Sequence, residues 1–238
     1  MRAMILAAGR GERMRPLTDH CPKPLLAVGG RSLIEWHLIG LARAGIHEVV
    51  INHAHLGSLI EAALGNGSRW GVKIAYSAEH TALETAGGIR RALPLLGPDP
   101  FLVVNGDIHC SFNFTRALTI AQQMTLAHLS CWCVLVDNPA HHPRGDFGLQ
   151  SGLLEAPESI REGDRRLTFS GIGLYRPELF SGLRDGEPAR LAPLLAAQAA
   201  LRRAGAEYHA GHWADVGTPE RLRALDKQFS RTTQPEEC

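Results

Sequence analysis

The chain has 238 residues, of which 45% are hydrophobic and 21% are charged. This balance is typical of a soluble globular protein, and it excludes a disordered chain, a fibrous repeat and a small disulfide-stapled domain. Lysine and arginine number 25 against 24 aspartates and glutamates, so the formal charge of +1 gives no sign of a nucleic-acid partner.

The cysteines and the apolar runs bear on the compartment. Five cysteines are scattered along the chain, and an odd, widely spaced set does not indicate a disulfide framework. No apolar run reaches the length of about 18 residues that a membrane-spanning helix needs. The first apolar run is also too short for a secretory leader. We therefore expect a reduced, cytoplasmic protein, a monomer or homodimer without a membrane or nucleic-acid partner.

The first half of the chain alternates short apolar runs with amphipathic segments. The runs predict strands over Ala3–Ala7, Glu48–Asn52, Val72–Tyr76 and Phe101–Asn105. The segments between them predict helices over Leu33–Ala44, Leu56–Leu64, Thr85–Leu95 and Phe112–Gln123. This alternation is typical of βαβ units and predicts a mainly parallel sheet covered on both faces. Ligands bind at the carboxyl ends of such strands, which directs attention to the residues after Ala7 and Asn105.

In the second half of the chain, the predicted strands follow one another without long helices between them. They are predicted over Ser130–Val136, Phe147–Leu154 and Arg166–Tyr175. A helix near Leu191–Arg203, a strand near Tyr208 and a last helix over Thr218–Gln228 follow. This half should extend the same sheet and form a lid over one end. We find no repeat or linker, and we expect a single domain over residues 1–229 with a loose tail at 230–238.

A glycine-rich segment follows the first predicted strand and reads Leu-Ala-Ala-Gly-Arg-Gly-Glu-Arg-Met-Arg-Pro-Leu-Thr over residues 6–18. Small residues at this place let backbone N–H groups turn towards an anion. A Walker A loop does not fit, because the Gly-Lys-Ser/Thr sequence is missing. A dinucleotide fingerprint does not fit either, because Met14 stands where the third glycine belongs. Taken alone, the segment suits a tight turn as well as a phosphate-binding loop.

A lysine lies between two prolines shortly after this segment. Lys23 is one of three lysines among the 25 basic residues of the chain. Pro22 and Pro24 restrict the backbone on both sides, so the ammonium group is held on a stiff segment. A compact positive charge suits a phosphate group. We interpret Lys23 as a phosphate ligand, with an ordinary surface loop as the alternative.

Two aspartates lie next to predicted element ends. Asp107 follows the strand that ends in Val-Val-Asn-Gly, and Asp215 precedes the last helix in the sequence Ala-Asp-Val-Gly-Thr-Pro. Considered singly, Asp107 fits a turn and Asp215 fits a helix-cap region. Considered jointly, they would supply the one or two carboxylates with which proteins commonly hold Mg²⁺.

Together these motifs resemble the sugar-1-phosphate nucleotidylyltransferases, whose opening is a Leu-Ala-Ala-Gly-x-Gly-x-Arg loop followed by Pro-Lys-Pro. Landmarks of that family recur over roughly residues 1–225. The resemblance implies a three-layer, Rossmann-like nucleotidyltransferase fold of the GT-A-like α/β type, with a mixed, mainly parallel sheet flanked by helices. It also implies a nucleotide-binding half over residues 1–125 and a sugar-binding or lid half over residues 126–229.

The resemblance further implies roles for individual residues. Catalysis would depend on Arg13, Lys23 and Asp107, and the cofactor Mg²⁺ would be held by Asp107 and Asp215. The nucleotide would contact Ala8, Gly9, Gly11, Glu12, Arg13, Lys23, Thr85 and Gly87. The sugar would contact Asn105, Asn138, Asp146 and Ser170. Arg221 and Arg223 lie on the last predicted helix, and we expect them on a solvated face.

The reaction implied by the resemblance is attack of a sugar-1-phosphate on the α-phosphorus of UTP, which releases pyrophosphate. The motifs of residues 52–57, 137–147 and 167–171 are closest to the subgroup that uses N-acetylmuramate α-1-phosphate in cell-wall sugar recycling. Arg144 is a candidate partner for the lactyl carboxylate of that sugar. Many relatives have a Glu-Lys-Pro motif with a lysine on the sugar phosphate, whereas this chain has Glu155-Ala156-Pro157. The alternatives are a mannose- or heptose-1-phosphate guanylyltransferase and a non-catalytic nucleotide-sugar sensor.

Overall fold

The computed structural model describes residues 1–161 and 163–232. The strands are β1 (Arg2–Leu6), β2 (Ala27–Val28), β3 (Arg31–Ser32), β4 (Glu48–His53), β5 (Lys73–Ala78), β6 (Phe101–Asn105), β7 (Ile108–Cys110), β8 (Cys131–Val136), β9 (Gly148–Gln150), β10 (Leu153–Glu155), β11 (Thr168–Tyr175), β12 (Ala204–Tyr208) and β13 (Trp213–Asp215). The α-helices are α1 (Leu33–Arg43), α2 (Gly57–Leu64), α3 (Glu84–Leu96), α4 (Arg116–Leu126), α5 (Leu191–Ala200) and α6 (Pro219–Thr232).

Nine strands form one sheet in the order β5-β4-β1-β6-β11-β8-β12-β10-β9. The four strands from the first half of the chain pair in parallel, as βαβ connections require. Strand β11 runs antiparallel between β6 and β8, and β12 pairs with β8 in parallel. The structure confirms the predicted mixed sheet, and the second half of the chain extends it as expected.

The sheet is covered on both faces because its strands alternate apolar side chains between two clusters. In β8, Trp132 and Val134 pack on the face covered by α1, α2 and α4. Cys131 and Cys133 pack on the opposite face, under α3 and α5. A smaller cluster joins α6 to the hairpin of β2 and β3. The helix–sheet–helix layering confirms the predicted fold class.

The prediction that a helix begins at Phe112 is wrong, since α4 begins at Arg116. The backbone N–H of Thr115 donates to Asn113 Oδ1 at 3.0 Å, and Arg116 N donates to the Asn113 carbonyl at 2.9 Å. Such a side-chain-supported turn replaces the first helical turn. The preceding residues pack as separate buried aromatics against the sheet.

The prediction of one strand over Phe147–Leu154 is also wrong, because this segment forms the hairpin of β9 and β10. Ser151 and Gly152 join the two strands with φ angles of 52° and 77°. Two consecutive residues with positive φ are the mark of a type I′ hairpin turn. A serine in the first position gave little sign of it.

The last helix extends further than predicted, to Thr232 instead of Gln228. Residues 230–232 of the predicted tail are therefore helical, and residues 233–238 lie outside the described part of the chain. Among the described helices, none combines the length and the apolar character needed to cross a membrane.

A histidine is buried on the inner face of α1. His37 is 2% exposed, and its Nε2 has no hydrogen-bond partner among the described residues. Burial, assisted by the nearby His109, lowers the pKa of His37 to about 4. Burial and the nearby His212 lower the pKa of His109 to about 4 as well. Both imidazoles are therefore neutral in the folded protein at neutral pH.

We expect the free energy of unfolding to decrease as the pH falls from 6.5, the ordinary histidine pKa, towards about 4. Over this range the unfolded chain takes up protons at His37 and His109, whereas the folded chain does not, so acid favours unfolding. Urea denaturation at about pH 7.5 and about pH 5 measures the loss. His37→Phe should lose less stability than the wild type, and the exposed His20→Gln should lose the same. An unchanged loss in His37→Phe would contradict the assignment.

Candidate active site

The carboxyl ends of β1 and β6 open into a cavity of about 380 Å³, which we call the loop cavity. Its lining includes the glycine-rich loop, the segment before α3 and the ends of the parallel strands. The lining residues are Leu6, Ala7, Ala8, Gly9, Lys23, Pro24, Asn52, Glu79, Ala82, Glu84, Thr85, Asn105 and Asp107. This is the edge at which parallel α/β sheets bind ligands.

A second cavity of about 590 Å³ adjoins the first and is called here the α5 cavity. The two share Glu84, Thr85 and Asn105, so a ligand can extend from one into the other. The α5 cavity is otherwise lined by β11, the start of α5 and the residues near β9 and β10. These residues are Asp146, Phe147, Pro157, Glu158, Phe169, Arg190, Leu191, Ala192, Pro193, Leu195 and Ala196.

The glycine-rich loop folds back onto the lysine segment. Gly11 has a φ of 65°, and its carbonyl accepts hydrogen bonds from Met14 N at 2.9 Å and Thr18 Oγ1 at 2.8 Å. A Cβ atom at Gly11 would lie 3.0 Å from Thr18 Cγ2 and 3.3 Å from Lys23 Cβ. Both the positive φ and the close contact require glycine at this position.

An ion pair joins the lysine segment to the end of β6. Lys23 Nζ lies 2.5 Å from Asp107 Oδ2, and the two side chains are 9% and 37% exposed. A buried ammonium group is costly without a counter-charge, and Asp107 provides it. The structure thus brings together, within one cavity, the lysine and the aspartate that the sequence motifs singled out.

Asp215 lies beside this pair on a two-stranded ribbon. Strand β13 pairs with β7 so that Asp215 is opposite Ile108, and Val216 N donates to the Asp107 carbonyl at 3.0 Å. Asp215 Oδ2 lies 2.6 Å from Arg221 Nη1. The expectation of a solvated Arg221 is therefore wrong: its side chain is 24% exposed and paired with the second aspartate.

Asp107 and Asp215 each keep one carboxylate oxygen that a divalent metal ion would need, and only Asp107 of the two lines the loop cavity. Their Oδ1 atoms accept no hydrogen bond from the described residues, and carboxylate oxygens suit Mg²⁺. Within the described part of the chain, no group of three or more histidines, cysteines or carboxylates is arranged for a metal. A protein contribution of one or two carboxylates is what Mg²⁺ needs when phosphates and water complete its coordination.

A buried side-chain network that the sequence did not reveal supports the loop cavity. Asn52 Oδ1 accepts a hydrogen bond from Ala7 N at 2.9 Å, and Asn52 Nδ2 donates to Glu79 Oε1 at 2.7 Å. The other oxygen of Glu79 accepts from Leu83 N at 2.9 Å. The network ties the end of β1 to the segment before α3. Gly88 on α3 makes room for it, since a Cβ there would lie 2.7 Å from Glu79 Oε1.

The predicted nucleotide contacts fall into two groups. The loop cavity is lined by Ala8, Gly9, Lys23 and Thr85. Gly11 does not line it and packs against Thr18 and Lys23. Glu12 and Arg13 lie on the one-turn helix Glu12–Met14, where both are exposed and line neither cavity.

Gly87, the remaining predicted nucleotide contact, points away from the loop cavity. Its backbone N–H donates to the Ala189 carbonyl at 3.2 Å. A Cβ at Gly87 would lie 2.5 Å from the Glu187 carbonyl. Gly87 therefore allows close packing between α3 and the segment before α5, and its contact with the base stays a prediction.

The predicted sugar contacts are also divided. Asn105 lines both cavities, and Asp146 lines the α5 cavity while its Oδ2 accepts from Phe169 N at 2.9 Å. Asn138 lines neither cavity: its amide donates to the Pro143 and Arg166 carbonyls, and its oxygen accepts from Thr168. It holds a loop in place.

Ser170 also lines neither cavity. It is 1% exposed, and its Oγ accepts from Ile172 N at 3.1 Å, at the irregularity in β11. Arg144, the candidate for the lactyl carboxylate, lies in a separate groove with Asn138 and Arg161. In the structure Asn138 and Ser170 make hydrogen bonds within the protein, and their contacts with the sugar stay predictions.

Residues 2–151 match the Nucleotidyl transferase family, and the chain belongs to that family. It is 55% identical, over 94% of its length and 96% of the relative's, to the N-acetylmuramate alpha-1-phosphate uridylyltransferase of Neisseria meningitidis serogroup B. It is 33% identical, with 96% of both chains covered, to the protein of the same name from Caulobacter vibrioides.

The fold is also that of solved structures of low sequence identity. A Bacillus anthracis protein assigned as a glucose-1-phosphate thymidylyltransferase, solved with sucrose, superposes with a TM-score of 0.84. The match covers 100% of this chain and 98% of the other at 22% identity, so it bears on the fold alone.

We expect Gly88→Ala to destabilise the protein by about 1–3 kcal/mol, because the added methyl group overlaps the Asn52–Glu79 hydrogen bond. Urea denaturation measures the change. Gly182→Ala is the matched control, since a Cβ there meets no atom within 4 Å. If both variants were equally stable, the network would not constrain α3.

Proposed function

We propose that this protein transfers a uridylyl group from UTP to a sugar-1-phosphate and releases pyrophosphate, with N-acetylmuramate α-1-phosphate as the sugar. The supporting observation is the ion pair of the buried Lys23 with Asp107 in the loop cavity, next to a second cavity with space for an acceptor. The identity of the base and the sugar is supported by the name of the relative with 55% identity.

The loop cavity suits a nucleoside triphosphate. The small residues Ala8 and Gly9 let backbone N–H groups approach phosphates closely, and Lys23 supplies a positive charge beside them. Thr85, at the start of α3, also lines this cavity and would contact the base or ribose. Arg13 is exposed on the one-turn helix after the loop, and the outer phosphates would have to extend out of the cavity to contact it.

The acceptor phosphate needs no general base, because it is already an anion at neutral pH. The protein then has two tasks: to align the acceptor oxygen with the α-phosphorus and to neutralise the accumulating charge. Asp107 and Asp215 would hold Mg²⁺, which when bound neutralises phosphate charge. Lys23 donates to the phosphate oxygens from its fixed position. Asn52 and Glu79 keep the loop and the segment before α3 at a constant separation.

The substrates are tested by pyrophosphate release with MgCl₂ and a matrix of the four common nucleoside triphosphates against several sugar-1-phosphates. We expect the highest kcat/KM for UTP with N-acetylmuramate α-1-phosphate. N-acetylglucosamine-, glucose- and mannose-1-phosphate serve as comparisons. Preference for GTP with mannose-1-phosphate would instead support a guanylyltransferase, and UTP binding without turnover would support a nucleotide-sugar sensor.

We expect Lys23→Met to lower kcat about 10²–10³-fold, the usual effect of removing one group that stabilises transition-state charge. Methionine keeps the buried volume and removes the ammonium group, so folding should be retained. Lys73→Met is the matched control, because Lys73 is exposed on β5, far along the sheet from β6. A folded Lys23→Met protein with full turnover would exclude the proposed role of Lys23.

A further inference from the structure

The α5 cavity has an uneven distribution of charge. Three carboxylates contribute to its lining, those of Glu84, Asp146 and Glu158. One basic side chain lines it within the described part of the chain, that of Arg190. Carboxylates in a cavity accept hydrogen bonds from ligand hydroxyl groups. The single arginine among them is suited to an anionic ligand group instead.

Arg190 is an exposed residue at the start of α5, and its guanidinium is available for a ligand. It directly precedes α5 with extended backbone, at φ −85° and ψ 143°. Its guanidinium makes no hydrogen bond or ion pair with any described residue, whereas Arg184, a few residues earlier, pairs with Glu187 at 3.4 Å. The first residues of α5, Leu191 and Ala192, line the same cavity, and the N-terminal end of a helix adds partial positive charge there.

The three carboxylates that line the α5 cavity form no ion pair with Arg190. Asp146 is already engaged, because Phe169 N donates to its Oδ2 at 2.9 Å and His142 Nε2 lies 2.9 Å from its Oδ1. Glu84 and Glu158 line the same cavity, and neither lies within ion-pair distance of Arg190. An unpaired guanidinium at a cavity wall is suited to a bidentate contact with a ligand carboxylate.

We propose that Arg190 binds a carboxylate of the acceptor sugar and thereby selects an acidic sugar-1-phosphate over its neutral counterpart. This inference rests on the function proposed above. The sugar phosphate would lie towards Lys23 in the loop cavity, and the carboxylate would lie towards Arg190 in the α5 cavity, with Asn105 and Thr85 between them. Two anionic groups at opposite ends fix the orientation of the sugar. Arg144 is excluded from this role because it lines a separate groove.

The test compares two acceptors that differ in one group: N-acetylmuramate α-1-phosphate has a lactyl carboxylate, and N-acetylglucosamine α-1-phosphate lacks it. For Arg190→Ala we expect kcat/KM with the acidic sugar to fall about 10–100-fold, mainly through KM, as loss of a hydrogen bond to a charged group implies. With the neutral sugar it should change less than about 2-fold. Arg190→Lys should restore part of the selectivity.

The matched control is Arg144→Ala, which should leave both acceptors unchanged. An equal loss for both acceptors in Arg190→Ala would overturn the proposal, since Arg190 would then act on the cavity in general. Selectivity lost in Arg144→Ala and kept in Arg190→Ala would overturn it as well.

Calorimetric binding of the same two sugar phosphates to the wild type and Arg190→Ala separates this proposal from the proposed function. Wild-type preference for the acidic sugar that disappears in the variant supports the role of Arg190 even if turnover with UTP fails. Turnover with UTP by a wild type that binds both sugars equally would overturn the role of Arg190 and leave the transferase activity intact.

Discussion

The ion pair between Lys23 and Asp107 is the constraint around which the site is built. A lysine side chain that is only 9% exposed requires a nearby negative charge, and the 2.5 Å contact with Asp107 meets that requirement. The pair also determines the backbone near it. Gly11 must be a glycine so that the loop can pack on Lys23, and Asp107 lies two residues after the end of β6. Both partners line the loop cavity, and Asp107 is the more exposed of the two.

Two further networks hold the walls of the cavity in relation to this pair. On one side, Asn52 and Glu79 connect the end of β1 to the start of α3. On the other side, the ribbon of β7 and β13 connects Asp107 to Asp215, which Arg221 balances at 2.6 Å. Asp107 is paired with Lys23, and Asp215 contacts both Arg221 and His141, the latter with its Nε2 at 3.1 Å; in each aspartate Oδ1 accepts no hydrogen bond from the described residues. The charges of Lys23 and Arg221 thus offset those of the two aspartates at this edge of the sheet.

The sequence predicted those features of the fold and the site that depend on a short local pattern. Apolar runs and their spacing predicted the sheet and most helices, and the motif residues Lys23 and Asp107 do meet in one cavity. Side-chain contacts between segments that are far apart in the sequence could not be predicted in this way. Nothing local distinguishes Gly87, which packs on the Glu187 carbonyl, from Gly88, which makes room for Glu79. Asn138 was another such case, because its full set of hydrogen bonds depends on a loop about thirty residues away.

The position of β11 in the sheet determines whether a fragment of the chain can fold without the second half. Strand β6, which ends in the site, pairs with β1 on one edge and with the late strand β11 on the other. A fragment that stopped at the end of the family match, residue 151, would leave the β6 edge open along a run of buried apolar residues. Open apolar edges recruit other strands, so such a fragment is prone to self-association. The two halves of the chain therefore share one sheet, and the first half alone lacks the strand that covers the β6 edge.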